Sequence, residues 1–295
     1  MQPNSRILAA IDRSTLSTRV IRGAIDLAVA MGAELEFLSV DTRNGEEIDK
    51  QIQAHLQQFI KEQMDVLHAD SLICSLTVRI ATDVAEEVVS YCGESGHSMI
   101  IIGTHGRRGF RKLMLGSVAL EVIRTASAPV LTIGDNDDTD AAQNPFGQLL
   151  IPFDFSDQSK EALEYGIRIA ERLNARIDVV HVIEDTLYPA FYGPFVQSVY
   201  DANPGLEDLA EEKLTRLVEE SGIEMGRVAI KILRGHPAHE ITTYAKDRAM
   251  DMIVMATHGL SGMQHLFVGS VAERTVQRAH CPVLTLRPEP SKDTA

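Results

Sequence analysis

The chain has 295 residues, with 28 Lys+Arg against 42 Asp+Glu, and carries a formal net charge of −14 at pH 7. That length suits two domains of ordinary size, and 44% hydrophobic with 24% charged residues is the composition of a folded chain, not a disordered one. The acidic balance repels nucleic-acid backbones and anionic lipid, and 5% aromatics without Trp leave little to stack on bases, so neither nucleic acid nor membrane is an expected partner.

Apolar periodicity divides the first 134 residues into alternating strands and helices. A buried strand is expected over 7–11. A helix follows over 16–31, with Val20, Ile21, Ala24, Ile25, Leu27, Ala28 and Met31 recurring at helical spacing. Next come a strand over 35–40, a long helix over 47–68 and a strand over 72–80. A helix over 83–94, a strand over 99–103, a glycine-punctuated loop, a helix over 117–126 and a strand over 129–133 complete the unit. The segment 134–148, GDNDDTDAAQNPFGQ, is acidic and rich in breakers, as in a linker that cannot bury itself.

The same pattern is then written a second time. Residues 7–40 match 149–182 at an offset of 142, with 8 of 34 positions identical, among them Asp12/Asp154, Ser14/Ser156 and Ser17/Ser159. Residues 99–133 match 252–286 at an offset of 153, with 16 of 35 identical. The second copy therefore carries 11 more residues, assigned to the Pro/Gly/aromatic stretch 188–205. Its Pro237 suits the first turn of the third helix. Domains are expected at 1–134 and 148–288, joined by an acidic linker 135–147 and followed by a polar tail 289–295. Strands separated by helices imply right-handed crossovers and a parallel sheet covered on both faces.

Cys74, Cys92 and Cys281 are an odd set without a CxxC pair or zinc spacing, and read as small core hydrophobes of a reducing compartment. Residues 1–6 run straight into an apolar strand, unlike a signal peptide, and no apolar run approaches the roughly 20 residues of a membrane span. A cytoplasmic protein is expected.

Ligands of open parallel sheets gather beyond the C-terminal strand ends. Asp12 and Asp154 stand at the ends of the first strands. Gly103, Gly106 and Gly116-Ser117 punctuate the loop from the fourth strand to the fourth helix, with Ala256, Gly259 and Gly269-Ser270 in the second copy. Glycines admit a ligand close to backbone, and a helix opened by Gly-Ser presents free N–H groups and a positive dipole end to phosphate. Ser117 and Ser270 serve either as N-caps or as phosphate donors, and Asp157 and Ser159 are expected to cap the first helix of copy two. His105 and His258 are assigned structural roles, since no partner acid or nucleophile can be placed beside them. The chain contains no Walker loop, no G-x-G-x-x-G, no H-E-x-x-H and no G-x-S-x-G.

In combination, the segments AAIDRST and IPFDFSD, GTHGRRGFRKLMLGSVA and ATHGLSGMQHLFVGSVA, and APVLTI and CPVLTL resemble the universal stress protein family, along nearly the whole of both copies. The resemblance implies an α/β fold of two tandem Rossmann-like domains of the adenine nucleotide α-hydrolase type, each a five-stranded parallel sheet in order 3-2-1-4-5. It implies ATP, or AMP or ADP, as ligand. Asp12 would lie beside the ribose or a metal-bound phosphate, Val40 would meet adenine, and Gly103, Gly106, Gly116 and Ser117 would cradle phosphates with Val118 lining the pocket. Copy two offers Asp154, Val182, Ala256, Gly259, Gly269, Ser270 and Val271, with Ala256 departing from the motif's first glycine. Mg²⁺ would be held by Asp12 or Asp154 only together with nucleotide phosphates.

Charge separates the copies. Arg107, Arg108, Arg111 and Lys112 of the first loop are replaced by Leu260, Ser261, Gln264 and His265 in the second, which predicts tighter ATP binding in copy one. The expected function is a nucleotide-binding stress-response module; a slow ATPase or phosphoryl-transfer enzyme and a ligand-free interaction scaffold are the alternatives. The resemblance also implies pairing of domains through their last strands, for which the apolar edges 129–133 and 282–286 are the candidates; an intrachain pairing of the two copies is expected, with a homodimer and an unidentified protein partner as further associations.

Overall fold

A computed structural model of the chain describes residues 5–42, 50–104, 115–134, 145–184, 205–259 and 268–287. Copy one runs β1 (Arg6–Ala10), α1 (Leu16–Met31), β2 (Glu34–Asp41), α2 (Lys50–Val66), β3 (Cys74–Ile80), α3 (Val84–Glu94), β4 (Met99–Gly103), α4 (Ser117–Thr125) and β5 (Val130–Ile133). Copy two runs β6 (Gln148–Pro152), α5 (Asp157–Leu173), β7 (Arg176–Ile183), α6 (Leu206–Glu220), β8 (Val228–Arg234), α7 (Pro237–Asp247), β9 (Met252–Ala256), α8 (Ser270–Arg278) and β10 (Val283–Leu286). Most of the linker and of the 188–205 insertion lies outside the described residues.

Strand alternation sorts the core into two layers. Ile7 and Ala9 of β1 join α1, α2, α5 and α6 on one face of the sheet, while Leu8 joins α3, α4, α7 and α8 on the other. Within each copy the strands stand in the order 3-2-1-4-5 and are parallel. The two five-stranded sheets are not separate, however. Antiparallel β5 and β10 pair through Thr132↔Val283, Leu131↔Leu284 and Val130↔Thr285, making one mixed ten-stranded sheet. Thr132 Oγ1 donates to Val283 O and Thr285 Oγ1 to Val130 O, each at 3.1 Å, so both buried hydroxyls are satisfied across the junction. The closing strands thus remove each other's open edges, and α1 packs on α5 above them.

Local chemistry sets the helix ends. Gly32 and Asn174, at φ +60° and +51°, close α1 and α5 in the left-handed conformation. Asp83 caps α3 by accepting from the Ala85 and Glu86 amides, and Pro237 opens α7 as expected. Two expected caps are corrected. Ser156, not Asp157 or Ser159, is the N-cap of α5, its hydroxyl accepting from Ser159 N at 3.1 Å. Gly116 and Gly269 occupy the N-cap positions of α4 and α8, so Ser117 and Ser270 are the first helical residues and cap nothing.

Candidate functional site

The C-terminal ends of β1, β2 and β4 lie side by side. Parallel pairing of Ala10 with Ile102 brings Asp12 next to Thr104, and Ile11 N donates to Leu38 O at 2.9 Å, which sets Val40 on the other flank. Copy two repeats this arrangement with Phe153 N donating to Val180 O at 2.8 Å.

Each aspartate is anchored through its Oδ1. Asp12 Oδ1 accepts from Ser14 N at 2.8 Å and Ser17 Oγ at 2.9 Å, while Ser17 Oγ accepts from Asp12 N. Asp154 Oδ1 accepts from Ser156 N at 3.0 Å and from the Ser156 hydroxyl. These serines were visible as identities between the copies, but their role as aspartate-positioning groups needed the fold. Asp154 Oδ2 faces the backbone of Gly259, where a methyl group would overlap it. The first-strand carboxylate and the loop glycine are therefore in direct contact in copy two.

The loops close on a common geometry. Thr104 N donates to Ile133 O at 2.9 Å, and Gly116 N returns to Thr104 O at 2.7 Å. In copy two Thr257 N donates to Leu286 O at 2.8 Å and Gly269 N to Thr257 O at 2.7 Å. A Cβ on Gly269 would stand 2.9 Å from that Thr257 carbonyl, so only glycine permits this closure. Beyond each closure, α4 and α8 begin with no side-chain cap, which leaves their first N–H groups to another acceptor. Val118 and Val271 pack at the margin of the adjoining core, as do Val40 and Val182. His258 Nδ1 lies 2.9 Å from Thr257 Oγ1, within the loop itself.

A scan against family models matches the universal stress protein family twice, over residues 3–134 and 145–287. The chain belongs to the universal stress protein family. Among curated relatives, a universal stress protein of Methanocaldococcus jannaschii is 34% identical over 159 residues, covering 51% of this chain and 87% of its own length. One from Mycolicibacterium smegmatis is 25% identical over 230 residues, covering 77% of this chain and 75% of that protein. The crystal structure of a universal stress protein from Archaeoglobus fulgidus superposes with a TM-score of 0.66 at 20% identity, over 96% of this chain and 98% of that one.

In this universal stress protein the departure at Ala256 has a packing explanation. A Cβ on Gly103 would meet Leu16 Cδ2 at 2.9 Å and Val20 Cγ2 at 3.3 Å, so that position points at α1, not at the loop. The repeat places Gln158 and Ala162 where Leu16 and Val20 stand, and the smaller Ala162 matches the larger Ala256. Gly103→Ala is expected to cost about 1–3 kcal/mol by overpacking, with part of the loss recovered by adding Val20→Ala. Thermal unfolding of the single and double variants checks this; no recovery would mean that position 103 is not packed against Val20.

Gly106 and Arg107, together with His105, Arg108, Arg111 and Lys112, fall outside the described residues, as do Leu260, Ser261, Gln264 and His265. Among the described residues no three His, Cys, Asp or Glu side chains converge on a metal position. No helix among the described residues is long and apolar enough to cross a membrane.

Proposed function

We propose that this universal stress protein binds adenine nucleotide at the C-terminal sheet edge of each copy and acts as a regulatory module, not as a fast enzyme. The supporting observation is the repeated closure, Gly116 N to Thr104 O and Gly269 N to Thr257 O, each followed by a helix without a side-chain cap. Such an opening suits a phosphate by its N–H groups and its dipole. ATP is the expected species, and AMP or ADP uses the same parts. Gly103, Gly106, Gly116 and Ser117 cradle phosphates in copy one; Ala256, Gly259, Gly269 and Ser270 do so in copy two. Asp12 and Asp154 bind the ribose or a phosphate-bound Mg²⁺, the Val40 and Val182 backbones meet adenine, and Val118 and Val271 line the pocket. Arg107 and its neighbours make copy one the tighter site.

Nucleotide retained by the purified protein, extracted and counted per chain, tests the reading. One or two adenine nucleotides per chain support it. A protein that is empty and shows no thermal shift with saturating ATP overturns it in favour of a scaffold, because a ligand at 100 times its Kd stabilises by about 2.7 kcal/mol. Fast hydrolysis needs a positioned base and a charge clamp, and turnover well above about one per minute would replace the module with an ATPase. A cytoplasmic setting is part of this reading; a homodimer or another protein partner remains for sedimentation and capture experiments to identify.

A further inference from the structure

Copy one contains a buried ionic cluster built around a histidine, where copy two joins Asp178, Tyr244 and Arg248 without one. Glu36 of β2 is 7% exposed, and its carboxylate is bound from several elements. Thr77 Oγ1 of β3 and Tyr91 OH of α3 donate to Oε1 at 2.7 and 2.6 Å. Arg6 Nη2 of β1 donates to Oε2 at 3.0 Å, and His97 Nε2, in the turn before β4, lies 3.1 Å from the same oxygen. Burial opposes the charge on Glu36, but the Tyr91 and Thr77 hydrogen bonds with the His97 and Arg6 charges outweigh it and hold the carboxyl below its ordinary value.

The His97 side chain is fully buried. With Nε2–H directed at Glu36, Nδ1 has no hydrogen-bond partner among the described residues. The Cys92 carbonyl nearby already accepts the His97 backbone amide at 3.0 Å. Burial, then the Arg6 guanidinium, depress the imidazole below its ordinary value more than Glu36 and the Cys92 carbonyl raise it. Burial pushes the Cys92 thiol up to about 11, and Arg79, 5.2 Å above the Tyr91 ring, is paired with Glu87 at 2.9 Å. Arg6 also reaches Glu34 at 3.6 Å and the Ser95 carbonyl at 2.6 Å.

The repeat supplies the comparison. Copy two has Asp178 for Glu36, Tyr244 for Tyr91, Gln148 for Arg6 and Met250 for His97. Tyr244 OH still donates to Asp178 Oδ2 at 2.7 Å, but the buried Met250 thioether takes no proton at these pH values.

We propose that His97 makes copy one the acid-labile half of the molecule: protonation of its imidazole breaks the cluster that ties β1, β2, β3 and α3 to the start of β4, while copy two, with Met250 in that place, holds. A proton added at Nδ1 would be fully buried beside the Arg6 charge, with only the Cys92 carbonyl, already engaged by the His97 amide, near it. The sign follows by linkage. A histidine depressed in the folded state binds its proton more readily when unfolded, so its contribution is present above about pH 6.5 and is lost as pH falls below that. Glu36, also depressed, adds a second loss only below its own ordinary range, near about pH 4.5. The strands clamped at their start by the cluster are those that lead to Asp12 and Val40.

The test is hydrogen exchange on the full chain at pH 7.5 and 5.5, corrected for intrinsic rates, without added nucleotide. Peptides from β1–β3 and α3 are expected to lose protection relative to β6–β8 and α7, by up to about tenfold, because pH 5.5 lies about one unit below the ordinary histidine value. His97→Met should abolish that difference, and Met250→His should bring acid sensitivity to copy two. Equal loss in both copies of the unmodified chain, or a copy-one loss that survives His97→Met, overturns the proposal. If His97→Met does not fold, NMR titration of the His97 ring in the unmodified chain decides: a midpoint at or above the ordinary histidine value overturns it, and a midpoint below supports it.

Discussion

Gly259→Ala is expected to empty copy two of nucleotide and to leave copy one binding, so that calorimetric titration of the full chain with ATP counts one site where the unmodified chain counts two. The added methyl overlaps Asp154 Oδ2, and the carboxylate cannot retreat freely because Oδ1 is held by the Ser156 amide and hydroxyl. Either Asp154 swings out of the site or the loop moves off it. A charged hydrogen bond lost in this way is worth about 1.5–3 kcal/mol, which is roughly a ten- to hundredfold fall in affinity. Asp154→Asn keeps the shape and removes the charge, so comparing the two variants separates loop displacement from electrostatics. Two sites of undiminished affinity in Gly259→Ala would remove Asp154 and Gly259 from the proposed cradle.

The second large effect is on stability. Leu284 sits opposite Leu131 across the β5–β10 junction, and both side chains are fully buried in the core layer that runs continuously through the two copies. Leu284→Ala removes most of a side chain from a close-packed site and leaves a cavity, a loss of about 2–5 kcal/mol. At about 2–4 °C per kcal/mol for a chain of this size, the fall in Tm is on the order of 5 °C or more. The shared layer also predicts that both copies of the unmodified chain unfold in one transition. Two separate transitions, or a Leu284→Ala variant whose Tm is unchanged, would show that the junction does not couple the halves.

Much of this is legible in the sequence. The alternation of apolar runs with helical spacing located every described strand and helix of the first copy to within a few residues, and the repeat carried the same order to the second, because burial on a covered sheet imposes that periodicity locally. The duplication identified Asp12/Asp154 as repeated elements at strand ends and the Gly-Ser pairs as repeated helix openings. Helix caps were less legible. Asp157 and Ser159 are as suitable by type as Ser156, and the backbone angles at the start of α5 decide which of them accepts from an orphan amide. Ala256 looked like a defect in the motif because sequence spacing does not reveal which way a Cβ points; in copy one that direction is toward Leu16 and Val20.

The sequence by itself determined the tandem α/β architecture, the family and the positions of the candidate site, since each depends on patterns confined to one copy or on identity between copies. The tertiary structure decided that the closing strands pair within the chain, antiparallel and in a fixed register, where the sequence left a homodimer open as well. Val130–Ile133 and Val283–Leu286 are nearly the same tetrapeptide, so local pattern cannot distinguish pairing within the chain from pairing with another. Packing of α1 on α5 over antiparallel β5 and β10 resolves it. The contact of Asp154 with Gly259 and the cluster around Glu36 are likewise decided by tertiary structure. Both unite residues far apart in the chain, and only closure of the sheet removes them from water together, where their hydrogen bonds must then be satisfied.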